Sequence, residues 1–332
     1  MSSSKQRRNP SQQPKRHRAS AQPQRTATVG DWVEGARLRT LPLAVVPVVL
    51  GFATATTVTP GEYHWVRALA ALVVALCLQI GVNFANDYSD GVRGTDDVRV
   101  GPARLTGSGL AKPSTVRNVA FAFFALAALA GLFLVVRSGQ WWLLAVGVAC
   151  ILAAWFYTGG KRPYGYAGLG EVFVFIFFGL VATAGTAYVM LGFVPADTWV
   201  VAVASGLFAC AVLMVNNIRD VEQDKLAGKR TLASMIGYRA SRILFAIFAL
   251  LPFAATFLFL LLYPLAGFAF FALLLVVPAV IITATSTRPR DLILALKLTS
   301  IGSLVWALLL SAALVVPIIV ALNAPLPEIP AP

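Results

Sequence analysis

Nine apolar stretches dominate this chain, at roughly residues 40–57, 65–86, 115–136, 141–158, 169–192, 198–217, 240–262, 264–285 and 299–321. Each approaches the ~20 residues that an α-helix needs to cross the ~30 Å hydrocarbon layer of a bilayer. They do not alternate apolar with polar residues, so they read as helices and not as barrel strands. Hydrophobic residues make up 58% of the 332 and charged residues only 12%, whereas a water-soluble domain carries about 25% charge. The expected fold is therefore an all-α integral membrane protein, with nine transmembrane helices bundled around a central cavity. "YPLAG" at 263–267 reads as a tight turn that makes a hairpin of the seventh and eighth helices.

Basic residues set the orientation. With the amino terminus in the cytoplasm, the loops on that side hold Arg93, Arg99, Arg104, Lys112 and Arg117, then Lys161 and Arg162, then Arg219, Lys225, Lys229, Arg230, Arg239 and Arg242, then Arg288, Arg290 and Lys297. The opposite side receives Arg67 and Arg137. This is the positive-inside asymmetry, and it supports an odd number of spans in the cell's inner (plasma) membrane.

Residues 1–30 carry Lys5, Arg7, Arg8, Lys15, Arg16, Arg18 and Arg25 with no acid, and supply seven of the net +13 charges. Rich in Ser, Gln and Pro, they read as a disordered basic cytoplasmic tail. Lacking an apolar core after the basic part, the tail is not a cleaved signal peptide. It reads as a topology signal, with contact to anionic headgroups as the other role open to it. Residues 31–322 form the helical domain, and 323–332, "NAPLPEIPAP", a short extracytoplasmic tail. Cys77, Cys150 and Cys210 lie inside apolar stretches and read as small core hydrophobes, not a disulfide framework. The two histidines, His17 and His64, fall in the tail and in a loop, which argues against a His-based metal site or triad. No nucleic-acid partner and no obligate protein partner is expected.

Against this background stands "QIGVNFANDYSDGVRGTDD", residues 79–97. Four aspartates end an apolar helix, although one charged carboxylate inside a bilayer costs about 2.5–3.5 kcal/mol. Asn83, Asn86, Asp87 and Asp90 are spaced i, i+3, i+4, i+7 and share one helical face. Gly91 and Gly94 are expected to loosen the helix, letting Asp96 and Asp97 fold back toward that face. The stretch "VNNIRDVEQDKLAGKRTL", residues 215–232, repeats the pattern with Asn217, Asp220 and Asp224. Both clusters close the cytoplasmic end of an even-numbered helix, so the chain reads as two pseudo-repeated halves of about four helices, plus one.

Carboxylates crowded together repel and resist ionising, and hard divalent cations relieve the repulsion. With oxygen donors alone, Mg²⁺ is the best candidate. It shares its shell with substrate phosphates, so two carboxylate walls suggest a diphosphate held between them. Arg93, Arg219, Lys229, Arg230, Lys161 and Arg162 interleave with the acids and are candidates for neutralising its oxygens.

These motifs resemble the two aspartate-rich motifs of the UbiA superfamily of intramembrane aromatic prenyltransferases, over about residues 30–322. Within it, "WVEGARLRTLPLAVVPVVLG", "GPARLTGSG" and "NNIRDVEQDKLAGKRTL" are most similar to the branch acting on 1,4-dihydroxy-2-naphthoate in menaquinone synthesis. The superfamily's commoner first motif has its third aspartate where this chain has Gly94, and the acids come instead at Asp96 and Asp97. That departure fits the naphthoate branch and leaves open which of the two is a ligand.

The resemblance implies a nine-helix fold, Mg²⁺, a polyprenyl diphosphate and 1,4-dihydroxy-2-naphthoate as partners, and a lipid bilayer around them. It implies Mg²⁺ on Asp87, Asp90, Asp220 and Asp224, and on Asp96 or Asp97. Asn83, Asn86 and Asn217 would join the basic residues on the diphosphate. An aromatic face, among them Tyr157, Phe84 and Tyr188, would steady the allylic cation. The acceptor's carboxylate would meet Arg104, Arg37 or Arg39. Two rivals remain: the same scaffold with another acceptor (4-hydroxybenzoate, homogentisate or a sugar phosphate), and a secondary transporter. Transporter sites lie near the bilayer midplane, whereas these acids lie at helix ends.

Overall fold

A computed structural model describes residues 25–94 and 104–324. Asp96 and Asp97 fall outside the described residues, as do most of the basic tail and residues 325–332. Regular structure among the described residues is helical, and the single strand-type bridge, Ala167 to Arg230, joins two loops.

The helices are α1 (Val29–Gly35), α2 (Pro42–Val58), α3 (Trp65–Arg93), α4 (Pro113–Ser138), α5 (Leu143–Phe156), α6 (Gly170–Leu191), α7 (Ala196–Leu226), α8 (Leu232–Leu260), α9 (Pro264–Thr285) and α10 (Asp291–Leu322). Seven of them, α3, α4 and α6–α10, are long and apolar enough to cross a membrane. The pair Val29–Thr40 and α2 passes the same test together, bent by 48°. The chain is a multi-pass helical membrane protein, with seven such spans among the described residues, or eight with the bent pair, against the nine expected. The shortfall is α5, apolar but 14 residues long; at 1.5 Å per residue it rises about 21 Å, less than the hydrocarbon layer.

Local chemistry explains the breaks. Thr28 and Asp31 form a reciprocal capping box that starts α1 inside the segment assigned to the tail. Arg37 then takes a left-handed conformation, φ +56°, the one non-glycine to do so among the described residues. Such a conformation is costly without Gly and must be held by its surroundings. Pro42 begins α2, where its missing N–H costs nothing. Inside α8, Gly237 leaves helical geometry at φ +79°.

The expectation for Gly91 needs correcting. α3 runs unbroken through Gly91 to Arg93, and Gly94 ends it at φ +73°. Gly91 is required for close approach instead: a Cβ there would lie 2.5 Å from Thr106 Cγ2 and 2.9 Å from the Gly107 nitrogen.

α7 is the axis of the bundle and the most buried span. Phe208 on α7 packs against Phe253 and Trp306, and the Trp306 indole N–H donates to Thr256 Oγ1 at 2.9 Å. Without water in the membrane, helices associate through close backbone contact at small residues. A Cβ on Gly179 would lie 2.5 Å from Gly206 Cα and 2.8 Å from the Ala202 carbonyl oxygen, both backbone atoms that cannot swing away. Gly179→Ala is therefore expected to destabilise the fold by about 1–3 kcal/mol, read as a lowered melting temperature in detergent. Gly147→Ala, where nothing lies within 4 Å, should hold or raise it. On the face away from the aspartates, Arg67 ties helix ends together by donating to the carbonyls of Val189, Met190 and Arg137. The cysteines are free.

Candidate active site

The polar face of α3 is a spine that grips three other segments. Buried polar groups need partners, and each of these finds one. Gln79 donates to Thr40 Oγ1 at 3.1 Å and Asn83 to the Ala36 carbonyl at 2.9 Å, which holds the α1–α2 break. Asn86 accepts from Thr158 Oγ1 at 2.7 Å, in the loop after α5. Asp87 accepts from the backbone N–H groups of Leu105 and Thr106 at 2.9 and 2.8 Å. Asp90 accepts from the Tyr166 hydroxyl at 2.7 Å and lies 3.9 Å from the Arg104 guanidinium.

The end of α7 is built differently, from charge pairs. Arg219 grips the Asp220 carboxylate through Nε and Nη2 at 2.7 and 2.6 Å, and Nη2 also donates to Asn216. Its Nη1 is buried without a hydrogen-bond partner among the described residues. Lys229 Nζ lies 3.6 Å from Asp224, which also accepts from Thr231 Oγ1 at 3.3 Å.

Tyr166 joins the two halves. Besides its bond to Asp90, its ring carries both Arg93 and Lys229 at 5.3 Å, and its carbonyl accepts from the Arg230 N–H at 3.2 Å. A desolvated cation over an aromatic face is worth up to about 2 kcal/mol.

Both aspartate-bearing helix ends open onto one cavity of about 460 Å³. At its polar end stand Glu34, Asp87, Asp90, Asp220 and Asp224, with Arg37, Arg39, Arg104, Arg219 and Lys229. Among the described residues the lining thus holds five acids and five bases. The remainder is apolar, with Leu43 and Val48 from α2, Leu134 from α4, Ile151 from α5 and Phe177 and Val181 from α6.

Most of the residues expected from the sequence meet here. Asn83, Asn86, Asn217 and Tyr157 line the cavity together with the four described aspartates, Arg37, Arg39, Arg104, Arg219 and Lys229. Arg93, Lys161, Arg162 and Arg230 are not among its lining residues. Arg93 donates to the carbonyls of Thr158 and Gly160, while Lys161, Arg162 and Arg230 are exposed. Of the three aromatic candidates Tyr157 alone faces the cavity; Phe84 packs between Trp32 and Phe123, and Tyr188 bonds Gln140 and Trp142.

Sequence reasoning passed over Asn216, Gln223, Gln79 and Thr158, which also line the cavity. It also missed Tyr166, and Glu171, a 5% exposed carboxylate that accepts from Asn217 Nδ2 at 3.0 Å. Glu171 had a readable signal, since it is the one acid within the apolar stretch 169–192, where an ionisable side chain marks function by default.

The residues fit a magnesium diphosphate. Among the described residues no three carboxylates, cysteines or histidines converge into a cage. Mg²⁺ does not need one: it takes one or two carboxylates and keeps water and phosphate oxygens. Carboxylates on two separate walls, with the buried and unsatisfied Arg219 Nη1 nearby, would suit Mg²⁺ together with a diphosphate.

A bundle of membrane helices that aims two aspartate-bearing helix ends into one largely apolar cavity is the architecture of an intramembrane prenyltransferase. The chain belongs to the UbiA prenyltransferase family, whose model it matches over residues 44–292. It is 46% identical over 288 residues to the 1,4-dihydroxy-2-naphthoate octaprenyltransferase of Mycobacterium tuberculosis (strain H37Rv), covering 87% of this chain and 98% of that protein. It is 38% identical over 212 residues to the 1,4-dihydroxy-2-naphthoate octaprenyltransferase of Escherichia coli (strain K12), covering 62% and 68%. The fold is shared with the solved structure of a UbiA homolog from Archaeoglobus fulgidus bound to GPP and Mg²⁺, with a TM-score of 0.51, 14% identity, and coverage of 83% of this chain and 99% of that one.

Proposed function

We propose that this chain transfers a polyprenyl group from a polyprenyl diphosphate to 1,4-dihydroxy-2-naphthoate, with loss of diphosphate and CO₂, giving the quinol form of demethylmenaquinone for menaquinone synthesis. The observation that carries the reading is the shared cavity. Acids from α3 and α7 stand at one polar end, and an apolar chamber able to take an isoprenoid lies behind them.

The residues that would hold Mg²⁺ are Asp90 on one wall and Asp220 and Asp224 on the other, with Asn86 and Gln223 beside them. Bound there, it supplies Lewis-acid stabilisation of the departing diphosphate. Lys229 and Arg219 line the cavity beside the aspartates and would neutralise charge that grows as the allylic C–O bond breaks. Apolar side chains of α2, α4 and α6 keep water from the allylic cation, and the ring of Tyr157 steadies it. The electron-rich naphthoate ring then attacks the cation, while Arg104, with Arg37 and Arg39 near, holds its carboxylate.

Nine spans follow if the bent α1–α2 pair counts as one and the whole apolar stretch 141–158 around α5, flanking turns included, crosses as another, with the amino terminus cytoplasmic. The basic loops at 104–117, 219–242 and 288–297 support that orientation. The active site then faces the cytoplasm from the plasma membrane.

The test is incubation of purified protein with dihydroxynaphthoate, a polyprenyl diphosphate and Mg²⁺. Mass analysis should show a prenylated, decarboxylated product, and none with 4-hydroxybenzoate in its place. Product from 4-hydroxybenzoate alone would overturn the acceptor. Arg104→Ala is expected to raise the dihydroxynaphthoate KM roughly ten- to hundredfold, the worth of one charged hydrogen bond. The KM for prenyl diphosphate should stay within about twofold. A rise in the prenyl diphosphate KM alone would move Arg104 to the diphosphate.

A further inference from the structure

We infer that Asp87 is a positioning residue and not a metal ligand: its carboxylate pins the loop beginning at Arg104 to α3, and so sets where Arg104 stands in the cavity. Asp87 and Asp90 belong to one helical face, yet their partners differ in kind. Asp90 meets a hydroxyl and a guanidinium, side chains that can turn away. Asp87 is 1% exposed, and its two oxygens each take one of two consecutive backbone N–H groups, Oδ2 from Leu105 and Oδ1 from Thr106. The positive ends of two fixed N–H dipoles thus occupy one site on each oxygen and draw charge from it, and Asp87 is less exposed than Asp90, Asp220 or Asp224, so it is the poorest placed of the four to meet an ion.

Independent contacts hold the same loop. One turn beyond Asp87, Gly91 lets Thr106 and Gly107 lie directly on the helix. The Leu105 side chain is buried and reaches α1, 3.1 Å from where a Cβ on Gly35 would stand. The loop closes on itself through Ala111 N–H to the Leu105 carbonyl at 3.0 Å, and Leu110 accepts from Ala27 at 3.1 Å. Arg104 directly precedes the pinned Leu105, so a shift of the Leu105 and Thr106 backbone carries the guanidinium with it.

Hydrogen exchange of the 104–112 segment in ligand-free protein tests the anchor. In Asp87→Asn a single amide oxygen replaces two acceptors, and its NH₂ faces a backbone N–H. Exchange there is expected to rise at least about tenfold, while Asp220→Asn, on a helix away from the loop, leaves it unchanged. Calorimetry with farnesyl diphosphate and Mg²⁺ tests the metal. Asp220→Asn should weaken Mg²⁺-dependent binding at least about tenfold and Asp87→Asn less than about threefold.

On the proposed acceptor reading, Asp87→Asn also raises the dihydroxynaphthoate KM at least about fivefold with little change in kcat, in the direction of Arg104→Ala. Unchanged exchange in Asp87→Asn, or loss of Mg²⁺-dependent binding as deep as in Asp220→Asn, overturns the inference. Should Asp87→Asn fail to fold, the wild type decides: adding Mg²⁺ and farnesyl diphosphate should keep or deepen protection of 104–112, and deprotection overturns the inference. A wild type that never binds farnesyl diphosphate overturns the prenyl-transfer reading instead, and the ligand-free exchange still decides the role of Asp87.

Discussion

Asp90→Asn, Asp220→Asn and Asp224→Asn are each expected to lower kcat about a hundredfold or more, with the protein still folded. Each change removes one negative charge from the wall that would hold Mg²⁺ against the diphosphate. Losing one such preorganised electrostatic contact costs roughly a hundred- to thousandfold, or at least about 2.7 kcal/mol of transition-state stabilisation. Asn keeps the shape at each position and an acceptor for Tyr166 at Asp90 and for Thr231 at Asp224, whereas at Asp220 it keeps one of two contacts to Arg219 and removes that cation's charged partner, so this variant should also melt lower. The same site predicts that EDTA abolishes turnover and added Mg²⁺ restores it. Steady-state rates beside size-exclusion profiles make the check. Folded variants turning over near the wild-type rate, or full activity in EDTA, would sink the assignment.

Arg219 carries the second large expectation. Its guanidinium serves Asp220 twice and Asn216 once, and leaves Nη1 without a hydrogen-bond partner. Lys is a single point charge and cannot hold this fork. Arg219→Lys is expected to lower kcat about ten- to hundredfold while the protein stays folded. Arg219→Leu leaves the Asp220 carboxylate buried without its cation, a loss of about 3–5 kcal/mol where a buried pair is broken. It should lower the melting temperature as well as activity. A fully active Arg219→Lys would mean that Nη1 takes no part in the reaction.

Much of the bundle was legible because a bilayer allows so few solutions. A run of about 20 apolar residues with its backbone satisfied internally is a helix, and α3, α4, α6, α7, α9 and α10 lie close to where the apolar stretches put them. α5 and the bend before α2 were less legible. Their lengths depend on where a chain turns, at Trp141 and Trp142 for α5 and at Arg37 for the bend, not on how apolar it is.

At the site the division falls between a face and its partners. Helical period alone puts Asn83, Asn86, Asp87 and Asp90 together, and spacing does the same for Asn217, Asp220 and Asp224. Period does not say what each group meets. The amides that fill Asp87 come 18 and 19 residues later, and the hydroxyl on Asp90 comes from Tyr166, 76 residues later. Arg93 and Lys229 look alike beside their acidic clusters, yet Arg93 binds loop carbonyls and Lys229 faces the cavity.

The sequence by itself determined that this is a bundle of membrane helices with two acidic helix ends, because hydrophobic length and helical period are local properties of a chain. Only the tertiary structure decided what each aspartate meets: all four described members of the two clusters line the cavity, and Asp87 takes two backbone N–H groups from the loop after Arg104. A buried polar group is defined by the partner that satisfies it, and that partner arrives from a part of the chain that no local pattern can name.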